Sequence, residues 1–199
     1  MQYICKHGIN YLYHMTAISN LRSILAHGLL SHNETYKLKL MVTDISDQDV
    51  QDLRSIRRDS VYNRPLHDYV CLYFSPRNPM LYVRRDMQED VVFLGINPHL
   101  LLEASTIFSD GNAAAVSTKF YRGTAMLDEL PWDIINARYW TNFEDGKRIK
   151  CAEVLVYRKV TVQNILKIFC YSGKQRSIIC EARPIGVTIP VEVNTELYF

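Results

Sequence analysis

The sequence predicts an α+β fold, and three observations carry that prediction. Short runs at 70–74 and 91–96 are apolar, β-branched and aromatic, that at 151–156 has small and β-branched residues around one acid, and all are too short for buried helices. Helical three- and four-residue spacing occurs only in brief stretches between them. Strands and helices alternate irregularly, which argues against a regular parallel doubly wound sheet. The chain of 199 residues, 48% hydrophobic and 22% charged, suits a single domain over 1–199 with a full core.

The elements follow in order. A strand over 11–14 runs into a helix over 18–27, where Leu21, Ile24 and Leu25 share a face and Gly28 is the stop. A second helix starts near Asp47 and brings Val50, Leu53, Arg54 and Arg57 together by helical spacing. The strand at 70–74 is broken by Ser75-Pro76-Arg77-Asn78-Pro79. The strand at 91–96 ends at Asn97-Pro98, where Pro opens a short helix. Pro131 starts a helix over 131–140, followed by a loop over 141–150 and the strand 151–156. Late strands are expected over 167–171 and 186–193, with a helix over 174–182 between them.

Composition narrows the function. The net charge of +2 is not that of a general polyanion binder, yet the basic residues are grouped. Arg54, Arg57, Arg58 and Arg64 form one group, Arg77, Arg84 and Arg85 a second, and Lys147, Arg148 and Lys150 a third. Thirteen tyrosines beside them suit base stacking as well as a core. The five cysteines are scattered, odd in number and never in a Cys-x-x-Cys pair, which points to reduced thiols in a cytoplasm and to no zinc site. No apolar run is long enough to cross a bilayer, and Met1 to His7 lack the apolar core of a signal peptide. No Gly-x-Gly-x-x-Gly, phosphate loop or Gly-x-Ser-x-Gly occurs, so nothing supports dinucleotide oxidoreduction, loop-bound nucleotide hydrolysis or a hydrolase elbow.

Glu153 is the most informative single residue. On a strand, Ala152, Val154 and Val156 take one face and leave Glu153 on the other. A carboxylate on a rigid strand, just after Lys147-Arg148-Ile149-Lys150, can face a cationic reaction centre or take a proton. The plain alternative is an acid on a solvated strand face. Tyr13-His14-Met15-Thr16, at a strand end before a helix, offers a ring nitrogen and a hydroxyl suited to a ribose diol.

Several blocks then line up. Tyr13-His14-Met15-Thr16, Asn20-Leu21 and His27-Gly28-Leu29-Leu30 come first. His67-Asp68-Tyr69-Val70, Tyr73-Phe74 and Pro79-Met80-Leu81 form a central block. Asp110, Asn112-Ala113-Ala114, Thr118-Lys119-Phe120 and Ala152-Glu153-Val154-Leu155-Val156 complete the series. In this order, over nearly the whole chain, they resemble the DarT DNA ADP-ribosyltransferases, toxins of bacterial toxin–antitoxin pairs. The chain departs from that pattern at Cys151, where Gln is typical, and at Cys71, where Pro is typical. The stretch before His67 is also short and lacks the usual glycine-rich turn.

The resemblance implies an ADP-ribosyltransferase-like mixed fold with a central split, antiparallel sheet and peripheral helices. It implies NAD as co-substrate, no metal, and transfer of ADP-ribose to thymine or guanine of single-stranded DNA. Glu153 would stabilise the cationic ribose, with Arg54 or Arg57 as the active-site arginine. His14, Thr16, Asn20, Tyr73, Met80 and Leu81 would hold NAD. Tyr121, Arg122, Lys147, Arg148 and Lys150, in a loop with Trp132 and Trp140, would read the DNA. A macrodomain antitoxin of the DarG kind is the implied partner. Two other readings stand beside this one: NAD-dependent modification of RNA or protein, and a non-catalytic nucleic-acid binding module.

Overall fold

One eight-stranded sheet organises the molecule. In this computed structural model, which describes residues 1–199 except Ile185 and Val187, ten strands form. They are β1 (Leu12–Ala17), β2 (Leu29–Leu30), β3 (Tyr69–Tyr73), β4 (Val91–Ile96), β5 (Ile107–Ser109), β6 (Phe120–Tyr121), β7 (Glu153–Tyr157), β8 (Lys159–Val160), β9 (Ile165–Cys170) and β10 (Val191–Val193). The main sheet runs β10-β9-β4-β1-β3-β7-β5-β6, and β2 pairs with β8 separately. Among the described residues, every strand pairing is antiparallel except β10 with β9.

The sheet is split between β1 and β3. β1 pairs with β4 at six positions, from Leu12↔Ile96 to Ala17↔Val91, and β3 pairs with β7 at five. Between those halves, β1 and β3 meet at one bridge, Tyr13↔Tyr73. Beyond it the strands part, and the His14 ring reaches across to the Cys71 carbonyl at 2.9 Å. A side chain thus replaces the missing ladder bond.

The alternating pattern of these strands builds the core. Leu12, Leu72, Leu94, Ile96, Val154 and Val156 share a large cluster, while Met15, Leu81, Val91, Phe93, Phe169 and Tyr198 form a second. Each such side chain contributes about 1.5–3 kcal/mol when fully buried.

Several boundaries differ from the sequence expectation. The first strand extends to Ala17, and a 3₁₀ turn, Ile18–Asn20, precedes the helix Leu21–His27. Gly28 ends that helix at φ +83, and a Cβ there would lie 2.7 Å from the Val160 carbonyl. The second helix spans Gln48–Ile56, with the Asp47 side chain capping its first N–H groups. The helix expected over 131–140 is only Trp132–Ile135, because Lys150 Nζ donates to the Ile135 and Ala137 carbonyls at 2.7 and 2.6 Å. The expected loop 141–150 contains the helical turn Gly146–Ile149. Gly146 permits it, since a Cβ would stand 2.0 Å from the Trp140 carbonyl. The late strand expected over 186–193 covers Val191–Val193, and Val187 lies outside the described residues.

Candidate active site

The split opens a cavity of about 800 Å³ between the sheet halves. Its lining includes His14 and Thr16 from β1, Tyr73 from β3, Glu153 from β7, Arg54 from the helix Gln48–Ile56, and Met80. Glu153 is 2% exposed, which sets aside the reading of an acid on a solvated face.

Glu153 is held from two sides. Arg54 Nη1 donates to Oε2 at 3.0 Å and to Oε1 at 3.3 Å, and the Ala113 N–H donates to Oε1 at 2.8 Å. Burial works to lower the Arg54 pKa, but the Cys71 sulfur and Glu153 carboxylate outweigh it and hold the guanidinium above its ordinary value. Arg54 Nη2 also donates to Cys71 Sγ. Burial pushes the Cys71 thiol up to about 12, so the sulfur is a neutral acceptor at physiological pH.

Tyr73 and Glu153 are register partners, and the Tyr73 hydroxyl donates to Met80 Sδ at 3.0 Å. Burial, then the Glu153 charge, raises the Tyr73 pKa well above its ordinary value, so its hydroxyl keeps its proton. Burial lowers the His14 pKa and keeps the ring neutral. Because a carbonyl only accepts, Nδ1–H donates to Cys71 O and Nε2 is left as an acceptor on the cavity side.

A fixed carboxylate, a buried guanidinium, a neutral imidazole acceptor and a hydroxyl thus surround one cleft. Such a set can bind a ribose and stabilise positive charge upon it. The DarT family model, described as "ssDNA thymidine ADP-ribosyltransferase, DarT", matches residues 13–199.

The chain belongs to the DarT family. A DNA ADP-ribosyl transferase of Thermus sp. (strain 2.9) is 33% identical over 82% of this chain and 82% of its own length. A "DNA ADP-ribosyl transferase-DNA ADP-ribosyl glycohydrolase fusion protein" of Thermosipho africanus is 32% identical over 79% of this chain, which spans 42% of that protein. Among solved structures, the Thermus sp. 2.9 DarT with ADP-ribosylated single-stranded DNA superposes with a TM-score of 0.86 at 28% identity, covering 96% of this chain and 97% of that one. The same DarT with NAD+ gives 0.78 at 27% identity over 96% and 98%. This DarT-family chain is accordingly an NAD-dependent DNA ADP-ribosyltransferase.

Within the DarT-family cleft, the structure separates the two candidate arginines. Arg54 lies inside the helix and faces Glu153, whereas the helix ends at Ile56 and Arg57 turns to extended backbone. Arg57 therefore leaves the cavity. It donates to the Ala114 carbonyl at 3.1 Å and to those of Val116 and Thr118 at 3.4 Å, over the Phe120 ring. Leu81 is a second correction: it is fully buried in the core cluster with Phe93, because the helix that turns Met80 to the cavity turns the next residue inward. Asn20 reaches the cavity, but its amide is spent on the loop before Asp47, bonding Thr16 Oγ1 and both backbone groups of Thr43.

The expected DNA readers also divide. Lys150 is 2% exposed and tied to two carbonyls, and burial lowers its pKa to about 8, so it stitches the fold instead of meeting phosphate. Arg148 reaches the cavity rim but is paired with Asp110 at 2.7 Å and with Asp145. Tyr121 stacks on Phe108 at 5.8 Å, half-buried against the core. Trp132 likewise packs on His7 at 4.7 Å and donates to the Leu127 carbonyl. Lys147 and Arg122 are exposed, and Lys147 is on the cavity rim.

Sequence reasoning missed Gln51, His67 and His32. His67 lines the cavity, pairs through Nε2 with Gln51 Oε1 at 3.1 Å, and stacks on His32 at 4.3 Å. The His67-Asp68-Tyr69-Val70 block was the available signal. Among the described residues, no three His, Cys, Asp or Glu side chains gather as a metal site, and no helix is long and apolar enough to cross a membrane.

Proposed function

We propose that this chain, acting as one domain, cleaves the nicotinamide–ribose bond of NAD and transfers ADP-ribose to a thymine of single-stranded DNA. The observation that carries this reading is the buried Arg54–Glu153 pair lining the split-sheet cavity. As the glycosidic bond breaks, nicotinamide leaves with the bonding electron pair and the anomeric carbon becomes cationic. Glu153 offsets that charge from beside the ring. A base nitrogen then bonds to the anomeric carbon, and its proton passes to the Glu153 carboxylate. Arg54 fixes the carboxylate, and its positive charge favours the pyrophosphate side.

His14 Nε2 accepts a ribose hydroxyl, Thr16 donates to one, and Tyr73 with Met80 walls the nicotinamide ribose. Asn20 acts through the loop it clamps. Thymine is favoured over guanine because the matching family model is named for thymidine. The base must be unpaired to reach a site this recessed. The partner we propose is an ADP-ribose-removing antitoxin with a macrodomain, consistent with the glycohydrolase fused to the Thermosipho relative. All five cysteines are free, which fits a reducing cytoplasm and a toxin acting there.

The test is the intact mass of mixed-sequence single-stranded oligonucleotides after incubation with NAD and protein, with Glu153→Ala alongside. A gain of one ADP-ribose in the wild-type reaction alone supports the reading, and fragmentation names the base. Label on RNA or protein instead would overturn the substrate.

A further inference from the structure

The helix Pro79–Val83 has a second face that the cavity does not use. Met80, Val83 and the following Arg84 line the cavity, while Tyr82 turns outward and is 45% exposed. Tyr82 meets Trp140 edge-on at 5.8 Å and Phe199 at 5.3 Å, and Trp140 meets Phe199 at 5.9 Å. Three rings from distant parts of the chain therefore make one patch.

Cations surround it. The Arg85 guanidinium lies 4.6 Å from the Tyr82 ring centre, and that of Arg77 lies 4.4 Å from the Phe199 ring. Arg77 also faces Arg138, with Glu196 as an acid in its surroundings, and its Nε is buried without a partner. Arg138 and Tyr139, the latter 59% exposed, lead into Trp140, and Lys147 stands on the adjoining cavity rim. Among the described residues, Arg77, Arg85, Arg138 and Lys147 form no salt bridge with a carboxylate.

Beyond their contacts with the rings, clustered cations without a carboxylate partner add little to stability, but they match a polyanion with free bases. We infer that this patch is the track for the nucleotides flanking the acceptor base, with Arg138 and Arg85 on phosphates and Tyr139 and Tyr82 against bases. The inference rests on the DNA reading above and goes beyond it. It moves the flanking contacts away from Tyr121 and Lys150, which the fold has engaged elsewhere.

The exposed residues Arg138 and Tyr139 allow a test with little risk to folding. For Arg138→Ala with Tyr139→Ala, the KM for an oligonucleotide of about a dozen nucleotides should rise roughly tenfold more than that for a trinucleotide centred on the acceptor. Arg138→Ala alone should make the dependence of log(kcat/KM) on log salt shallower by about 0.7, the share of one phosphate on a single strand. Binding of the longer oligonucleotide to Glu153→Gln, followed by fluorescence anisotropy, reads the patch without transfer and should weaken in parallel. Equal binding and an unchanged salt slope would overturn the track. Absence of DNA labelling by the wild type, with anisotropy still sensitive to Arg138, would overturn the proposed reaction and leave the track standing.

Discussion

Arg54 Nη1 stands 3.0 Å from Glu153 Oε2, and both side chains are almost wholly buried at the cavity wall. The two residues come from opposite halves of the chain, yet each is the other's buried counter-charge. Removing one partner leaves a charge with no compensation. Arg54→Ala should cost about 3–5 kcal/mol in urea unfolding. Glu153→Gln should keep the fold but lower DNA labelling by at least about a hundredfold. The double variant Arg54→Met with Glu153→Gln should regain most of the stability and none of the activity.

Arg57 acts at a distance through the loop it grips. Its guanidinium bonds the carbonyls of Ala114, Val116 and Thr118, and that loop supplies the Ala113 N–H to Glu153. Arg57→Ala should reduce kcat by roughly tenfold, with a smaller change in the KM for NAD, since charge-assisted bonds of this kind are worth about 1.5–3 kcal/mol. Arg57→Lys should not restore it, because a single ammonium cannot span three carbonyls. A wild-type kcat in Arg57→Ala would remove the loop from the argument.

Met80 and Leu81 are adjacent yet should fail differently. Leu81→Ala empties a fully buried position and should cost about 2–5 kcal/mol, with NAD binding kept by the folded fraction. Met80→Ala should spare stability and weaken NAD binding, as isothermal titration would read. The opposite assignment would mean that Leu81 is the wall after all.

His14 sets the acid limit. Its folded pKa lies below the ordinary value of 6.5 because burial disfavours the charged ring. As pH falls below 6.5 the unfolded chain binds the proton first, so stability declines until the folded pKa is reached and then levels off. Activity should fall lower still in pH, where Nε2 is itself protonated and stops accepting. His14→Gln should remove this acid limb from the pH profile of kcat/KM; a limb that survives belongs to another group.

Much of the site was legible in the chain. The strand alternation placed Glu153 on the face opposite Val154, and the block order pointed to His14, Thr16, Tyr73 and Met80, all of which line the cavity. Arg54 and Arg57 looked equal because helical spacing makes them neighbours, and nothing local shows that the helix ends at Ile56. Lys150 read as a surface cation because a buried lysine depends on carbonyls thirteen and fifteen residues away.

By itself, the sequence determined the apolar periods, the α+β class and the chemical types available for NAD, since these depend on residue identity and near spacing. Only the tertiary structure decided which arginine faces Glu153, which polar groups are already engaged, and where rings from Tyr82, Trp140 and Phe199 meet. Those outcomes depend on strand pairing across long loops, where a side chain's partner is set by the whole packed core rather than by its neighbours in sequence.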